Sequence, residues 1–290
     1  MKFQMKRCDL VLVFILSLST IVSLRADTTI DATNHLAFGA NIGWVDWRGD
    51  TNNGAVIGEY VCSGYIYSAN VGWINLGSGS PANQIQYQNN SATDWGVNQD
   101  GLGNLRGYAW GANIGWINFE NTGAPMVDLL TGELRGYAYS ANCGWISLSN
   151  TVAHVQTDSI QSAPLAPNGL PIAWLLQNFG TTNVDANADP DLDGQTTAQE
   201  YLAGTDPKDS ASVFKITDFT RDIPSPTYST LLWNAVNTRY YVVQESSSLA
   251  PGTWQDYINI PTPGWNNVGF NDFNSTNDFF RVRAYRPLVP

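Results

Sequence analysis

The sequence predicts a mainly β protein with a short helical connector, and three observations carry that expectation. One phrase of aromatic, small and apolar residues recurs four times in the first half. A single dense run of alternating aspartates lies between Asp185 and Asp209. The last quarter is a series of short apolar runs broken by Pro, Gly and Asn. The chain accordingly divides into a leader at 1–26, a domain of four β-hairpins at 27–150 and a linker at 151–170. A helix–loop–helix segment at 171–211 and a small antiparallel β-sandwich at 212–290 follow.

Lys2, Lys6 and Arg7 precede the apolar run Leu10 to Leu18, and the segment ends near Ala26. A basic start, an apolar core and a small terminal residue mark a secretory signal peptide. The run is too short for a membrane span, so no stable membrane insertion is expected after signal removal. The expected location is secreted: periplasmic, extracellular or at the cell surface. Removal of 1–26 takes four basic residues and one acidic one, turning 14 and 25 into 10 and 24, a net charge of −14. Such a surface repels nucleic acid and anionic membranes, so no nucleic-acid partner is expected.

The four copies are LAFGANIGWVDW at Leu36–Trp47, GYIYSANVGWINL at Gly64–Leu76, GYAWGANIGWINF at Gly107–Phe119 and GYAYSANCGWISL at Gly136–Leu148. Their shared asparagines, Asn41, Asn70, Asn113 and Asn142, are spaced 29, 43 and 29 residues apart. Each copy reads as a hairpin, because Asn and Gly tolerate the positive φ of a tight reversal between runs of strand formers. Alternation puts Tyr108 and Trp110 on one face with Ala109 opposite, then Ile117 and Phe119 opposite Trp116 and Asn118. Short hairpins must stack to bury a face. The expected product is one pseudo-repeated sheet assembly, with a sandwich, a prism-like barrel and a short solenoid all open as its closure.

Trp44, Trp73, Trp116 and Trp145 share one repeat position. They form either a packing ladder or an exposed aromatic strip. Asn75 and Asn118 share a face with Trp73 and Trp116, and Asp46 and Ser147 hold the same place after Trp44 and Trp145. Flat rings beside amides suit a sugar, whose C–H face stacks while its hydroxyls find the polar groups. Cys62 aligns with Leu105 and Leu134, and Cys143 with Ile42, Val71 and Ile114, so both thiols are expected in the core, either free or joined as a disulfide. These repeats resemble GYAWSANIGWI-type aromatic repeats of exported bacterial proteins, a likeness that implies no particular activity.

Pro171 opens a predicted helix through Ile172–Phe179 that Gly180 ends, and a second runs from near Thr197 to Gly204. Between them Asp189, Asp191, Asp193, Gly194 and Glu200 occupy positions 1, 3, 5, 6 and 12 of a twelve-residue loop. Gln195 would supply its carbonyl at position 7, and Thr197 would hold a water at position 9. This is the hard-oxygen spacing of a Ca2+ site. Together with Tyr201 and the GTDP run at Gly204–Pro207, the loop resembles a bacterial thrombospondin type 3 repeat and, more loosely, an EF-hand or dockerin segment. The resemblance implies calcium at Asp189, Asp191, Asp193 and Glu200, between modules of an exported protein.

The carboxy-terminal strands are expected at Val213–Phe219, Thr230–Ala235, Tyr240–Gln244, Thr253–Tyr257, Asn267–Phe273 and Phe279–Tyr285, a pattern similar to fibronectin-type accessory domains. No nucleophile elbow, HExxH run or phosphate loop is present, and His35 and His154 are the two histidines. The sequence therefore points to a non-catalytic, calcium-stabilised structural or adhesive protein. A glycan-binding module is the alternative, and a polysaccharide hydrolase or lyase stands behind both. The expected partners are a neutral polysaccharide or cell-surface components.

Overall fold

The computed structural model describes residues 28–50, 52–221, 228–248, 250–271 and 279–289. The expected signal peptide at 1–26 and the last two residues of the expected strand Asn267–Phe273 lie outside them. The protein is mainly β, with two short helices.

The four sequence copies fold as four antiparallel hairpins. They are β1 (Ile30–Gly39) with β2 (Gly43–Asp46), and, after the short β3 (Val56–Ile57), β4 (Cys62–Ser68) with β5 (Gly72–Ser78). After β6 (Val97–Gln99), β7 (Leu105–Gly111) pairs with β8 (Gly115–Asn118). After β9 (Met126–Val127) and β10 (Glu133–Arg135), β11 (Tyr137–Ser140) pairs with β12 (Gly144–Ser147). A last short strand, β13 (Val155–Thr157), pairs with both β1 and β10.

Each hairpin reverses the same way. The amide after the asparagine donates back to a small residue, as from Ile42 to Gly39 at 3.1 Å and from Ile114 to Gly111 at 3.1 Å. The next residue, Gly43, Gly72, Gly115 or Gly144, takes φ between 71° and 82°, the left-handed step of a three-residue hairpin loop.

Neighbouring hairpins pair through Asp46–Tyr67, Asn75–Trp110 and Asn118–Tyr139, and β12 returns to β1 through Ser147–Phe38. The closure left open by the sequence is thus an eight-stranded barrel-like sheet. Within a hairpin Trp44 faces Phe38, whereas the next junction uses Asp46, two residues further along the same strand. That step of two recurs at all four junctions and accumulates to eight over the circuit. Eight strands with a stagger of eight leave an interior that side chains fill. Here Val45, Ile74, Ile117 and Ile146 face Ala37, Ile66, Ala109 and Ala138, all buried. Three of the four pairs set an alanine against a branched side chain, and the fourth sets Ile66 against Ile74, so the layer is filled.

The asparagine of each turn ties its hairpin to the preceding one. Nδ2 of Asn70 donates to the Ile42 carbonyl at 3.0 Å, Asn113 to Val71 at 3.0 Å and Asn142 to Ile114 at 2.9 Å. Asn41 completes the ring by donating to Cys143 at 3.1 Å. The arriving amide lies 3.3–3.7 Å from where a Cβ on Gly43, Gly72, Gly115 or Gly144 would stand. That is close to ordinary contact, so the turn glycine is needed for the left-handed step. The residue starting each turn alternates: Gly39 and Gly111 leave room for Ile42 and Ile114, while Ser68 and Ser140 are buried.

Cys62 and Cys143 are both buried and both free, so the disulfide that the sequence left open is not formed. Cys143 lies in the turn layer beside the Asn41 contact, whereas Cys62 begins β4 at the far end of its hairpin. The length of β4 lies between Cys62 and the turn layer, roughly 20 Å at about 3.3 Å per residue, against the roughly 7 Å Cα limit for a bridge. Burial pushes the Cys62 thiol up to about 12.

The connector holds α1 (Ile172–Phe179) and α2 (Thr197–Ala203). Pro171 is the N-cap of α1 rather than its first helical residue, and Gly180 ends the helix with φ 69°. Thr196 and Gln199 form a capping box on α2. Trp174, Leu175 and Tyr201 share a small apolar core with Ala166 and Leu170. Beyond it lie two three-stranded antiparallel sheets. One orders β14 (Ile216–Arg221), β15 (Tyr228–Trp233) and β18 (Asn267–Asn271). The other orders β17 (Gln255–Ile260), β16 (Tyr240–Ser246) and β19 (Phe279–Tyr285). Leu231 and Trp233 of the first sheet join Tyr241, Val243 and Ile260 of the second in one apolar cluster. The chain then turns back, and Leu288 and Val289 pack against the barrel core. Among the described residues no helix is long and apolar enough to cross a membrane.

The amide ring generates a stability prediction. Asn142→Ala should cost about 1–2 kcal/mol, because it removes one hydrogen bond and leaves the Ile114 carbonyl short of a donor. Urea denaturation of the chain from Asp27 onward checks this, and a change below about 0.3 kcal/mol would mean that the ring does not hold the hairpins together.

Candidate functional site

Two features stand out chemically, an aromatic belt on the barrel wall and a carboxylate loop in the connector. The belt follows from strand alternation: with Ala, Val and Ile filling the lumen, the indoles have nowhere to go but outward. Trp44, Trp73, Trp116 and Trp145 are 44–47% exposed. Each leans on rings of its own hairpin at steep angles. Phe38 and Trp44 lie 5.0 Å apart, Tyr67 and Trp73 4.8 Å, Trp110 and Trp116 4.7 Å, and Tyr139 and Trp145 4.9 Å. Tyr65, Tyr108 and Tyr137 add a second ring to three of the four clusters. The tryptophans are therefore both things at once, partners in local packing and an outward apolar surface.

Their polar neighbours are largely engaged with backbone. Asp46 Oδ1 accepts from Arg48 N at 2.8 Å and faces His35 Nδ1 at 2.7 Å. Asn75 Oδ1 accepts from Gly77 N at 2.8 Å, and Ser147 Oγ donates to Ser149 O at 2.6 Å. Asn118 Oδ1 is buried without a hydrogen-bond partner.

In the loop, the Asp189, Asp191 and Asp193 carboxylates bring oxygens within 4.8 Å of one another, the one such group of three among the described residues. The backbone wraps around them. Asp189 Oδ2 accepts from Gly194 N at 2.9 Å and Asp193 Oδ1 from Gln195 N at 2.7 Å, with Gly194 at φ 96°. Glu200 stands outside the triangle, fully buried at the start of α2. Both its oxygens, with Asp191 Oδ2 and Asp193 Oδ2, are buried without hydrogen-bond partners. Such oxygens fit a hard divalent cation, which would neutralise the charge and satisfy the lone pairs together. Burial first, then Asp191, Asp193, Asp189 and Asp206, push the Glu200 carboxyl up to about 7.

Two side chains of the loop bond to the protein itself. Thr197 is buried and its hydroxyl donates to the Ala188 carbonyl at 3.1 Å, so this side chain is spent on the loop and not turned to a water. The Gln195 amide is turned to the carboxy-terminal sheets, donating to Phe214 O at 2.5 Å.

Sequence inspection missed a third cluster. Glu59 has no notable neighbours along the chain, yet it is buried against Arg286 in an ion pair. The Tyr201 hydroxyl donates to Glu59 Oε1 at 3.1 Å, and Arg286 also donates to that hydroxyl. Arg239 Nη2 and Nε donate to the Tyr201 and Leu202 carbonyls at 2.6 and 2.8 Å, closing the end of α2. One network thus joins barrel, connector and carboxy-terminal sheets. Trp95, which lies outside the repeated phrase, is the belt residue that sequence inspection missed. Comparison of the chain with protein-family models, curated proteins and solved structures finds no match.

Two outcomes are expected. Burial and the neighbouring aspartates push the Glu200 carboxyl from 4.5 up to about 7, so without metal its contribution to stability is fully present below pH 4.5 and is lost as pH rises through 7. Calorimetry in EDTA should show the unfolding temperature dropping over that window. Glu200→Gln should flatten the slope, and added calcium should restore the loss at pH 7; a flat profile in the unaltered chain would contradict the geometry. Glu59→Ala, by stranding Arg286, should destabilise the chain by about 3 kcal/mol in urea, and Glu59→Asp by less.

Proposed function

We propose that this chain is an exported, non-catalytic adhesive protein that holds a neutral polysaccharide against the aromatic belt of its barrel. One observation carries the reading: four equivalent indoles remain nearly half exposed around a strongly acidic chain. Aromatic rings in water are costly unless they meet an apolar face, and the C–H face of a sugar supplies one without adding charge. Nucleic acids and other polyanions are disfavoured by the net charge. Enzymatic hydrolysis has less support, because the best-placed barrel carboxylate, Glu59, is already neutralised by Arg286.

A calcium ion in the connector is part of the same proposal. Asp189, Asp191, Asp193 and Glu200, with the Gln195 carbonyl, would hold it. The loop then takes its place beside thrombospondin type 3-like and EF-hand-like repeats, and the two small sheets act as a fibronectin-like sandwich. Calcium would order the connector and so fix the barrel relative to those sheets, away from the membrane and in an exported compartment.

The ring contacts within each hairpin favour a second reading, in which the indoles only brace the barrel wall and the protein is purely structural. Co-sedimentation with insoluble cellulose, chitin and β-glucan in calcium buffer separates the two. At least one polymer should retain the mature chain. A variant with Trp44, Trp73, Trp116 and Trp145 all changed to Ala should remain in solution while keeping its β-sheet circular dichroism. Retention that survives those four changes, or no retention of the unaltered chain, would leave the structural reading standing.

A further inference from the structure

One of the four aromatic clusters is built differently from the rest. The longer gap before the third copy carries Tyr87–Asp100, and this stretch is held down by its own polar network. Buried Tyr87 donates its hydroxyl to the Cys62 carbonyl at 3.2 Å. Tyr87 and Asn98 exchange two hydrogen bonds, both 2.9 Å. The Asp94 carboxylate accepts from Ala82 N and Gln88 N, each at 3.2 Å. The result is an ordered wall beside the third hairpin.

That wall delivers a further ring. Trp95 stands 5.2 Å from Trp116 at 82°, with its Nε1 fixed by a 3.1 Å bond to the Ala92 carbonyl. Trp95, Trp116, Tyr108, Asn89, Asn90 and Ser91 bound a cleft of about 570 Å³, a size suited to small ligands. The recorded ring contacts of Trp44, Trp73 and Trp145 come from their own hairpins.

We infer that this cleft is a dedicated subsite for a neutral polysaccharide, the place where the chain's glycan affinity concentrates. The inference rests on the adhesive reading of the belt and narrows it to one hairpin. Two perpendicular indoles make a corner, one ring a floor for a sugar face and the other a wall for its edge. Asn90 and Ser91 rim that corner with uncharged polar groups, and no charged side chain lines it. Proline-rich peptides dock on aromatic-lined grooves that follow an extended helix, and a short perpendicular corner fits them poorly.

Calorimetric titration of the mature chain in calcium buffer with cellohexaose, xylohexaose, mannohexaose and chitohexaose tests the subsite. At least one should bind. Trp95→Ala should weaken it about tenfold, Asn90→Ala about threefold, and Trp73→Ala, in an unwalled cluster, less than about twofold. Trp95→Phe should recover most of the loss, and thermal unfolding of each variant guards against misfolding. Equal weakening by Trp73→Ala and Trp95→Ala would overturn the subsite and leave the belt intact as the binding surface. So would failure of all four hexasaccharides while an insoluble polymer still retains the chain. Failure of hexasaccharides and polymers together would overturn both readings, and Trp95-dependent binding of a proline-rich decapeptide would overturn the ligand class.

Discussion

The barrel depends on one repeated contact, a turn amide reaching back to the carbonyl of the preceding turn. Each bond is worth little by itself, about 1 kcal/mol net, but four of them form a closed circuit in which no hairpin is terminal. The circuit fixes the hairpin stagger, and the stagger fixes how wide the lumen is. At the level of the hairpin pairs the lumen is filled by Ala, Val and Ile, and the one indole in that core, Trp47, enters it beyond the end of β2. The outward placement of the tryptophans, and any recognition they perform, follows from the same turns that close the sheet.

Away from the barrel the organising constraint is charge. The connector gathers carboxylates faster than it supplies donors, and Glu200 sits fully buried among them. The next residue, Tyr201, reaches the barrel through Glu59 and meets Arg286 from the returning tail. Arg239 grips the carbonyls of the same helix end. A cation held by those carboxylates would therefore be linked to the joining of the chain's parts through one turn of helix. A helix of seven residues has little stability alone and can respond to both.

Local chemistry was legible in the sequence, and distant pairing was not. The Ala-Asn-x-Gly turns, the alternation that sets Ala109 against Tyr108 and Trp110, and the bounds of α1 could be read directly, because each is decided within a few residues. In the carboxy-terminal sheets Phe279–Tyr285 keeps its expected bounds, while β14, β15 and β17 are displaced by two or three residues, where short runs rich in turn formers lack sharp signals. Barrel closure was hidden, since β1 meets β12 across more than a hundred residues. The same holds for Glu59, whose partner Arg286 lies 227 positions away. Trp95 looked like one more aromatic in a polar loop until folding laid it against Trp116. Thr197 fits the ninth position of a metal loop by type, yet its hydroxyl donates to the Ala188 carbonyl of the loop itself.

The alternation of Gly39 and Gly111 with Ser68 and Ser140 gives the barrel a two-fold symmetry inside its four-fold one. Asn41 to Asn113 and Asn70 to Asn142 are both 72 residues apart, so the first hairpin pair maps onto the second with its turn type preserved. Such a barrel has the form of a fused dimer. A two-hairpin half carries both kinds of edge in the order needed to meet a copy of itself, with every turn amide finding its carbonyl across the dyad. The 14 extra residues of the middle gap lie at the join between the two halves, a connection that occurs once in the chain. Two separate halves would present identical faces, whereas the single chain carries Trp95 on that one connection and so presents a face unlike the others.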